Sequence, residues 1–264
     1  MTGGTEQLVK ALKDSVYNTI TGRTVAIAFS GGLDSGIIAA MAKECGSGNT
    51  LYTVGSENSH DILSAGAAAT DLGMRWVSLL ITENDVLECL KEMISVTGTT
   101  DPVTLSFEIP LFFVCKNCEE KDIITGQGAD ELFAGYSKYV GLDANALEIM
   151  IADDMKKLSG ETLPHEKMVA EHFGKRIHYP YLDNEVIKAA GSLASGTIAP
   201  DSDPLSRKKA LRTVSDLIGC PNISKKEKKA AQYSSGAMVL IKKICKEKGV
   251  TYRELIETLS GEVT

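Results

Sequence analysis

Ser30-Gly31-Gly32-Leu33-Asp34-Ser35 follows directly on the apolar run Thr24 to Phe29 and combines two glycines, hydroxyls and a carboxylate. Glycines such as Gly31 and Gly32 let backbone N–H groups converge on an anion. A helix expected to start near Gly36 would add its positive end. Ser30 and Ser35 supply further donors. The common nucleotide loop ends in Gly-Lys-Ser/Thr and cradles a triphosphate whose γ-phosphate leaves. Here no lysine follows, and Asp34 stands where a metal could be held. Such a cup suits pyrophosphate departing as one unit while AMP is transferred. An ordinary Ser/Gly-rich turn is the simpler alternative, but six such residues at a strand-to-helix junction favour the phosphate loop. A second glycine loop, Thr125-Gly126-Gln127-Gly128-Ala129-Asp130-Glu131, ends in two more acids. Two carboxylates on different loops facing a polyphosphate suit Mg²⁺, which takes one or two carboxylates plus phosphate oxygens. Helix-dipole stabilisation accounts for Glu131 better than for Asp130.

Those loops need a scaffold that brings them together. Strands are predicted at Val25 to Phe29, Leu51 to Val54, Arg75 to Leu80 and Asp122 to Thr125. Helical spacing fills the intervals, at Glu6 to Thr21, around Ile37 to Met41, at His60 to Leu72, Glu83 to Val96 and Ser106 to Cys118. This alternation predicts an α/β fold, a doubly wound parallel sheet with helices on both faces. Ligands in such sheets bind beyond the carboxyl ends of strands at a topological switch point. From about Asp143 strand signals vanish. Helices are expected over Ala144 to Leu158, Glu166 to Phe173, Asn184 to Leu193, Leu205 to Leu217, Ala237 to Lys248 and Tyr252 to Leu259, with a loop at Ser195 to Asp203. Residues 1–264 thus read as one domain, a nucleotide-binding core over about 1–140 and a helical part over 141–264.

Composition sets the outer limits. The 264 residues are 43% hydrophobic and 24% charged, ordinary for a globular enzyme. A net charge of −7 gives no basic field for nucleic acid. No run approaches a membrane span, and Met1 to Lys10 is not a signal peptide, so a cytoplasmic protein is expected. Six scattered cysteines read as free thiols. The four histidines do not cluster, and Trp76 reads as core.

Two further segments complete the pattern: Arg176-Ile177-His178-Tyr179-Pro180-Tyr181-Leu182-Asp183, and the stretch from Lys226 through Lys228 to Gln232-Tyr233-Ser234-Ser235-Gly236. In this order and spacing the four segments resemble the synthetase domain of the asparagine synthetase family, which includes β-lactam synthetase and belongs to the PP-loop ATP pyrophosphatases. The resemblance covers nearly the whole chain and is strongest over residues 24–40 and 122–137. It implies an adenine nucleotide α-hydrolase-like fold, with ATP and Mg²⁺ as cofactors. It also implies an AMP- and pyrophosphate-forming amide ligase that adenylates an aspartate-like carboxylate and passes it to ammonia or another amine. Ser30, Gly31, Gly32, Leu33, Asp34, Ser35, Gly126 and Gly128 are carried over as nucleotide-binding. Asp34 and Asp130 are carried over as metal ligands. Val54 and Gly55 are carried over as the adenine-reading edge, and Lys228 as the lysine facing the pyrophosphate, where a cation would stabilise charge on the leaving group. Asp61 reads as a helix-start acid, Arg212 and Asp183 as structural.

Two departures matter. Asparagine synthetases place a Glu, and β-lactam synthetase a Tyr, where this chain has Gln127. An amide cannot take up a proton in the useful pH range, and losing a positioned base costs ~10²–10⁴ in rate. Adenylation does not depend on that residue. Secondly, glutamine-dependent members begin with a glutaminase whose cysteine follows Met1. Here position 2 is Thr2 and Val25 already opens the first strand, so nitrogen is expected from ammonia, an amine or a separate glutaminase subunit. Homo-oligomerisation is left open. Two alternatives stand beside this reading. A PP-loop tRNA-modifying enzyme draws only on Cys115 and Cys118, which fall in an apolar helix where cysteine behaves as a small hydrophobe. A nucleotide-binding module without turnover draws on Gln127, but does not need Asp34, Asp130 and Lys228.

Overall fold

The apolar run after Thr24 forms β1 (Val25–Ala28), and each later strand lies parallel to its neighbour: β2 (Thr50–Gly55), β3 (Arg75–Leu80), β4 (Asp122–Ile124) and β5 (Arg176–His178). The computed structural model describes residues 2–46, 48–193, 198–201, 203, 206–225 and 231–263. Strand order is β3-β2-β1-β4-β5. Parallel neighbours require crossovers, which α2 (Leu33–Glu44) and α3 (His60–Leu72) supply on one side of β1. The pair α4 (Glu83–Thr97) and α5 (Pro102–Asn117) then returns the chain to β4, on the other side of β1. The switch point therefore lies between β1 and β4, and the two glycine loops leave their carboxyl ends.

Period-two alternation divides the core between the faces. Val25, Ile27, Leu51 and Ile124 pack with α2, α3 and the leading helix α1 (Thr2–Ile20). Ala26, Tyr52, Val54 and Ile123 pack with α4 and α5. Local signals set the helix ends. Ser59 caps α3 by accepting from the Ile62 N–H, and Gly73 closes it in the left-handed region. Thr82 and Asp85 form a capping box on α4.

Three expectations are corrected. Helix α2 starts at Leu33, not near Gly36, so Asp34 and Ser35 lie on its first turn. Helix α5 starts at Pro102 rather than Ser106, because Asp101 caps it and proline suits a first helical position. Strands do not end with Asp122 to Thr125. Arg176–His178 adds β5, a strand too short for periodicity to reveal. The later helices pack on both faces: α9 (Asn184–Gly191) and the helix Lys209–Leu217 lie on the α1 side, while Ala237–Lys248 and Tyr252–Val263 lie against α4 and α5. Most of the predicted loop Ser195 to Asp203 falls outside the described residues, and the described part of the Leu205 to Leu217 helix begins at Lys209. Among the described residues no helix is long and apolar enough to cross a membrane.

Candidate active site

A cavity of about 770 Å³ opens beyond the carboxyl ends of β1, β2 and β4. Ser30, Gly32, Leu33, Asp34 and Ser35 form one wall, Val54 a second, and Gly126, Gln127 and Asp130 a third. Within the first loop the Ser30 N–H and the Ser35 hydroxyl oxygen are 3.2 Å apart, and the Gly32 N–H donates to Ser30 Oγ at 3.3 Å. The Ser30 and Ser35 hydroxyls, 3.2 Å apart, thus bond within the loop. The second loop presses against the first: a methyl group added at Gly126 would lie 3.2 Å from Asp34 Cβ. Gly31 and Gly128 support the loops rather than line the cavity, and Gly128 lies against Leu182.

The Tyr-Pro-Tyr-Leu-Asp segment braces both loops. The Tyr181 hydroxyl donates to the Asp34 carbonyl at 3.0 Å, and Ser15 on α1 donates to the Pro180 carbonyl at 3.2 Å. Asp183 caps α9, the organising role expected of it. At the end of β2, the Ser56 N–H donates to the Ser235 carbonyl at 2.9 Å, and Ser234 donates to Asp61 at 2.9 Å. Asp61 is thus more than a helix-start acid: it is buried and fixes the fourth segment beside Gly55. Lys228 lies outside the described residues.

Asp34, on the first turn of α2, and Asp130, on the short helix α6 (Ala129–Leu132), converge as the sequence pattern required. What sits between them was not anticipated. Lys208 Nζ makes an ion pair with Asp34 Oδ2 and lies 2.7 Å from Asp130 Oδ1. Lys208 is only 3% exposed. Burial works to lower its pKa, but the charges of Asp130 and Asp34 outweigh it and the net shift is upward, so the lysine stays cationic. The seat is tight, since a methyl group on Gly135 would collide with Asp130 Oδ1 and Lys208 Cε. Backbone strain gathers here too: Lys208 and Ala134, beside Gly135, are both non-glycine residues at positive φ, 57° and 50°. Sequence reading stopped four residues away, at Arg212, because Arg207-Lys208-Lys209 looks like a solvated face. Charge alone could not reveal Lys208; its place just before an amphipathic helix was the available signal.

Glu131 turns away to accept from the Tyr136 hydroxyl at 2.7 Å, and burial raises its pKa. The cysteines are free, and burial pushes the thiols of Cys115 and Cys118 up, away from reactive thiolates. Trp76 is partly buried, and its indole donates to Thr53 at 2.9 Å.

Residues 7–149, just over half of the chain, match the asparagine synthase family. The chain belongs to the asparagine synthase family. Among its relatives, a Methanocaldococcus jannaschii protein named for glutamine-hydrolysing asparagine synthetase 1 is 30% identical over 96% of this chain and 54% of its own length. Carboxyethyl-arginine β-lactam synthase of Streptomyces clavuligerus is 28% identical over 70% of this chain and 36% of its own. Among solved structures, an NMN synthetase from Francisella tularensis superposes with a TM-score of 0.46 and 18% identity, over 98% of this chain and 85% of its own. The chain spans about half the length of the first of these relatives. The match ends at residue 149, and Lys208 and Tyr181, which contact Asp34, and Ser235, which contacts Ser56, lie beyond it.

Proposed function

We propose that this protein is an ATP-dependent amide ligase: it adenylates a small carboxylate of the aspartate kind, releases pyrophosphate and passes the acyl group to ammonia or another amine. The observation that carries this reading is the convergence of Asp34 and Asp130, from the ends of β1 and β4, on one cation beside the phosphate loop. In the first step a carboxylate oxygen of the substrate attacks the α-phosphorus of ATP. The bond from that phosphorus to the bridging oxygen breaks, and pyrophosphate leaves. In the second, an amine nitrogen attacks the acyl carbon, the carbon–oxygen bond breaks, AMP leaves, and the proton lost by the nitrogen passes to water or to the departing phosphate.

The residues fit Mg²⁺, because two carboxylates already gather one cation there and hard oxygen donors suit that ion. Asp34 and Asp130 would hold it, and phosphate oxygens and water would complete its shell; bound, it neutralises charge on the polyphosphate. The backbone N–H groups of the first loop and the positive end of α2 receive the pyrophosphate part. Lys208 keeps the two acids at a fixed spacing before nucleotide arrives and sets a buried positive charge where negative charge builds. Lys228 is the proposed second cation facing the leaving group, and Val54 and Gly55 the edge that reads adenine. Gln127 lines the cavity at the end of β4, where it orients the acyl group or amine through its amide but accepts no proton.

Radiolabelled ATP–pyrophosphate exchange across a panel of carboxylic acids tests this. Exchange that depends on both an acid and Mg²⁺ is expected. Tight ATP binding without exchange on any acid would instead favour the nucleotide-binding module, and exchange that requires tRNA the modifying enzyme.

A further inference from the structure

Two buried acids take no part in the chemistry above. Glu108 on α5 and Glu166 on α8 (Leu163–His172) are 2% and 5% exposed. Both carboxyl oxygens of Glu108, and Oε2 of Glu166, have no hydrogen-bond partner. The Tyr179 hydroxyl acts on Glu166 but makes no well-formed hydrogen bond, and His165 Nδ1, 3.9 Å from Glu108 Oε1, is likewise without one. Burial, then the neighbouring Glu166 charge, pushes Glu108 up to about 8. Burial pushes Glu166 up to about 8, with Tyr179 opposing.

Buried carboxyls in folded proteins are normally paired or hydrogen-bonded, because the interior replaces none of the water they lose. Other buried acids of this chain follow that rule: Glu131 has Tyr136, and Asp61 has Ser234. Glu108 and Glu166 break it together, and Glu166 forms part of the cavity wall. The same wall carries Phe107, Leu111 and Leu158, apolar side chains suited to methylenes. Glu166 borders the cavity, and Glu108, outside the lining but close enough for the two charges to act on each other, adds to its demand for a positive charge, which can enter through the cavity.

We propose that Glu108 and Glu166 form the subsite for a positively charged nitrogen at the far end of the acyl substrate, carried on an aliphatic stem that lies along Phe107, Leu111 and Leu158. The assignment deepens the adenylation reading and rests on it for the reacting end. The substrate class becomes amino acids, or acids derived from diamines, with a side-chain ammonium or guanidinium.

Calorimetry on the full chain with n-butylamine, butylguanidine and 1-butanol tests the subsite without turnover. At least tenfold tighter binding of a cationic probe than of the alcohol is expected, and Glu166→Gln and Glu108→Gln should each remove most of that preference. Which cation binds tighter separates ammonium from guanidinium substrates. Equal affinity for alcohol and cations in the parent protein overturns the proposal, as does a preference that survives in both variants. If the variants fail to fold, the comparison on the parent protein still decides. Exchange with lysine and arginine against norleucine and citrulline is then read separately. Silence from all four tells against adenylation, whereas equal rates tell against the subsite alone.

Discussion

The two ends of the parallel sheet handle buried carboxylates in opposite ways. At the amino end Asp122, the first residue of β4, accepts from Arg176 Nε at 2.9 Å and Nη2 at 2.7 Å; His178 Nε2 lies at 2.7 Å and Arg23 Nη1 at 3.4 Å. Hydrogen bonds from Arg176, then from His178, hold its pKa down at about 2 against the opposing effect of burial. This acid has more partners than it needs and cross-links β4 to β5. At the carboxyl end Asp34 and Asp130 share one lysine, and Glu108 and Glu166 lack hydrogen-bond partners at three of their four oxygens. The saturated acid at the amino end holds the fold together, whereas Glu108 and Glu166 leave oxygens for a cation to meet. The direction of the strands decides which is which, since helix N-termini and glycine loops gather only where parallel strands end.

Substitutions at either end can break that contrast. The largest effect is expected from Asp34→Ala, which should lower ATP–pyrophosphate exchange ~10³-fold or more with the fold intact by circular dichroism; unaltered exchange would remove Asp34 from the site. Lys208→Met should reduce exchange ~10²–10³-fold. It should also weaken urea resistance by up to about 3 kcal/mol, since it removes a buried cation that pairs with two facing acids. Gln127→Glu sharpens the picture of the second step. It should leave exchange unchanged and raise ammonia-dependent amide formation ~10²-fold, within the range for a restored base; a sharp fall in exchange would mean that Gln127 contacts nucleotide. At the amino end Asp122→Asn should spare KM and kcat but lower Tm by about 2–4 °C.

The pH dependence of melting should differ in sign between the ends. Asp122 titrates below its unfolded value, so its contribution is complete above about pH 4 and fades as pH falls through about 2. Glu166 titrates above its unfolded value, so stability should decline as pH rises from about 4.5 to 8. Glu166→Gln should remove its share of that decline, leave the share of Glu108, and leave the acid limb alone. An unchanged alkaline limb in that variant would mean that Glu166 ionises as freely as an exposed acid.

How much could be read beforehand followed the range of the interactions. The apolar run before Ser30, the Ser59 cap and the glycine loops are local, and their spacing sufficed to place Asp34 and Asp130 at one switch point. β5 is three residues long and carries Arg176 and His178 for a bond to Asp122, so it shows no hydrophobic alternation. Lys208 meets Asp34 across 174 positions, a pairing that no window of sequence contains. Glu108 and Glu166 sit on helices whose exposed faces also carry charge, and only the packing of α5 against α8 separates a solvated acid from a buried one.

Lys208 has a consequence for the order in which the protein comes into being. Both glycine loops leave the ribosome well before the helix that starts at Lys209, so the nascent chain carries two facing acids with no lysine between them. The ion pairs of Lys208 that tie the two loops together can therefore form only once the last third of the chain is being made.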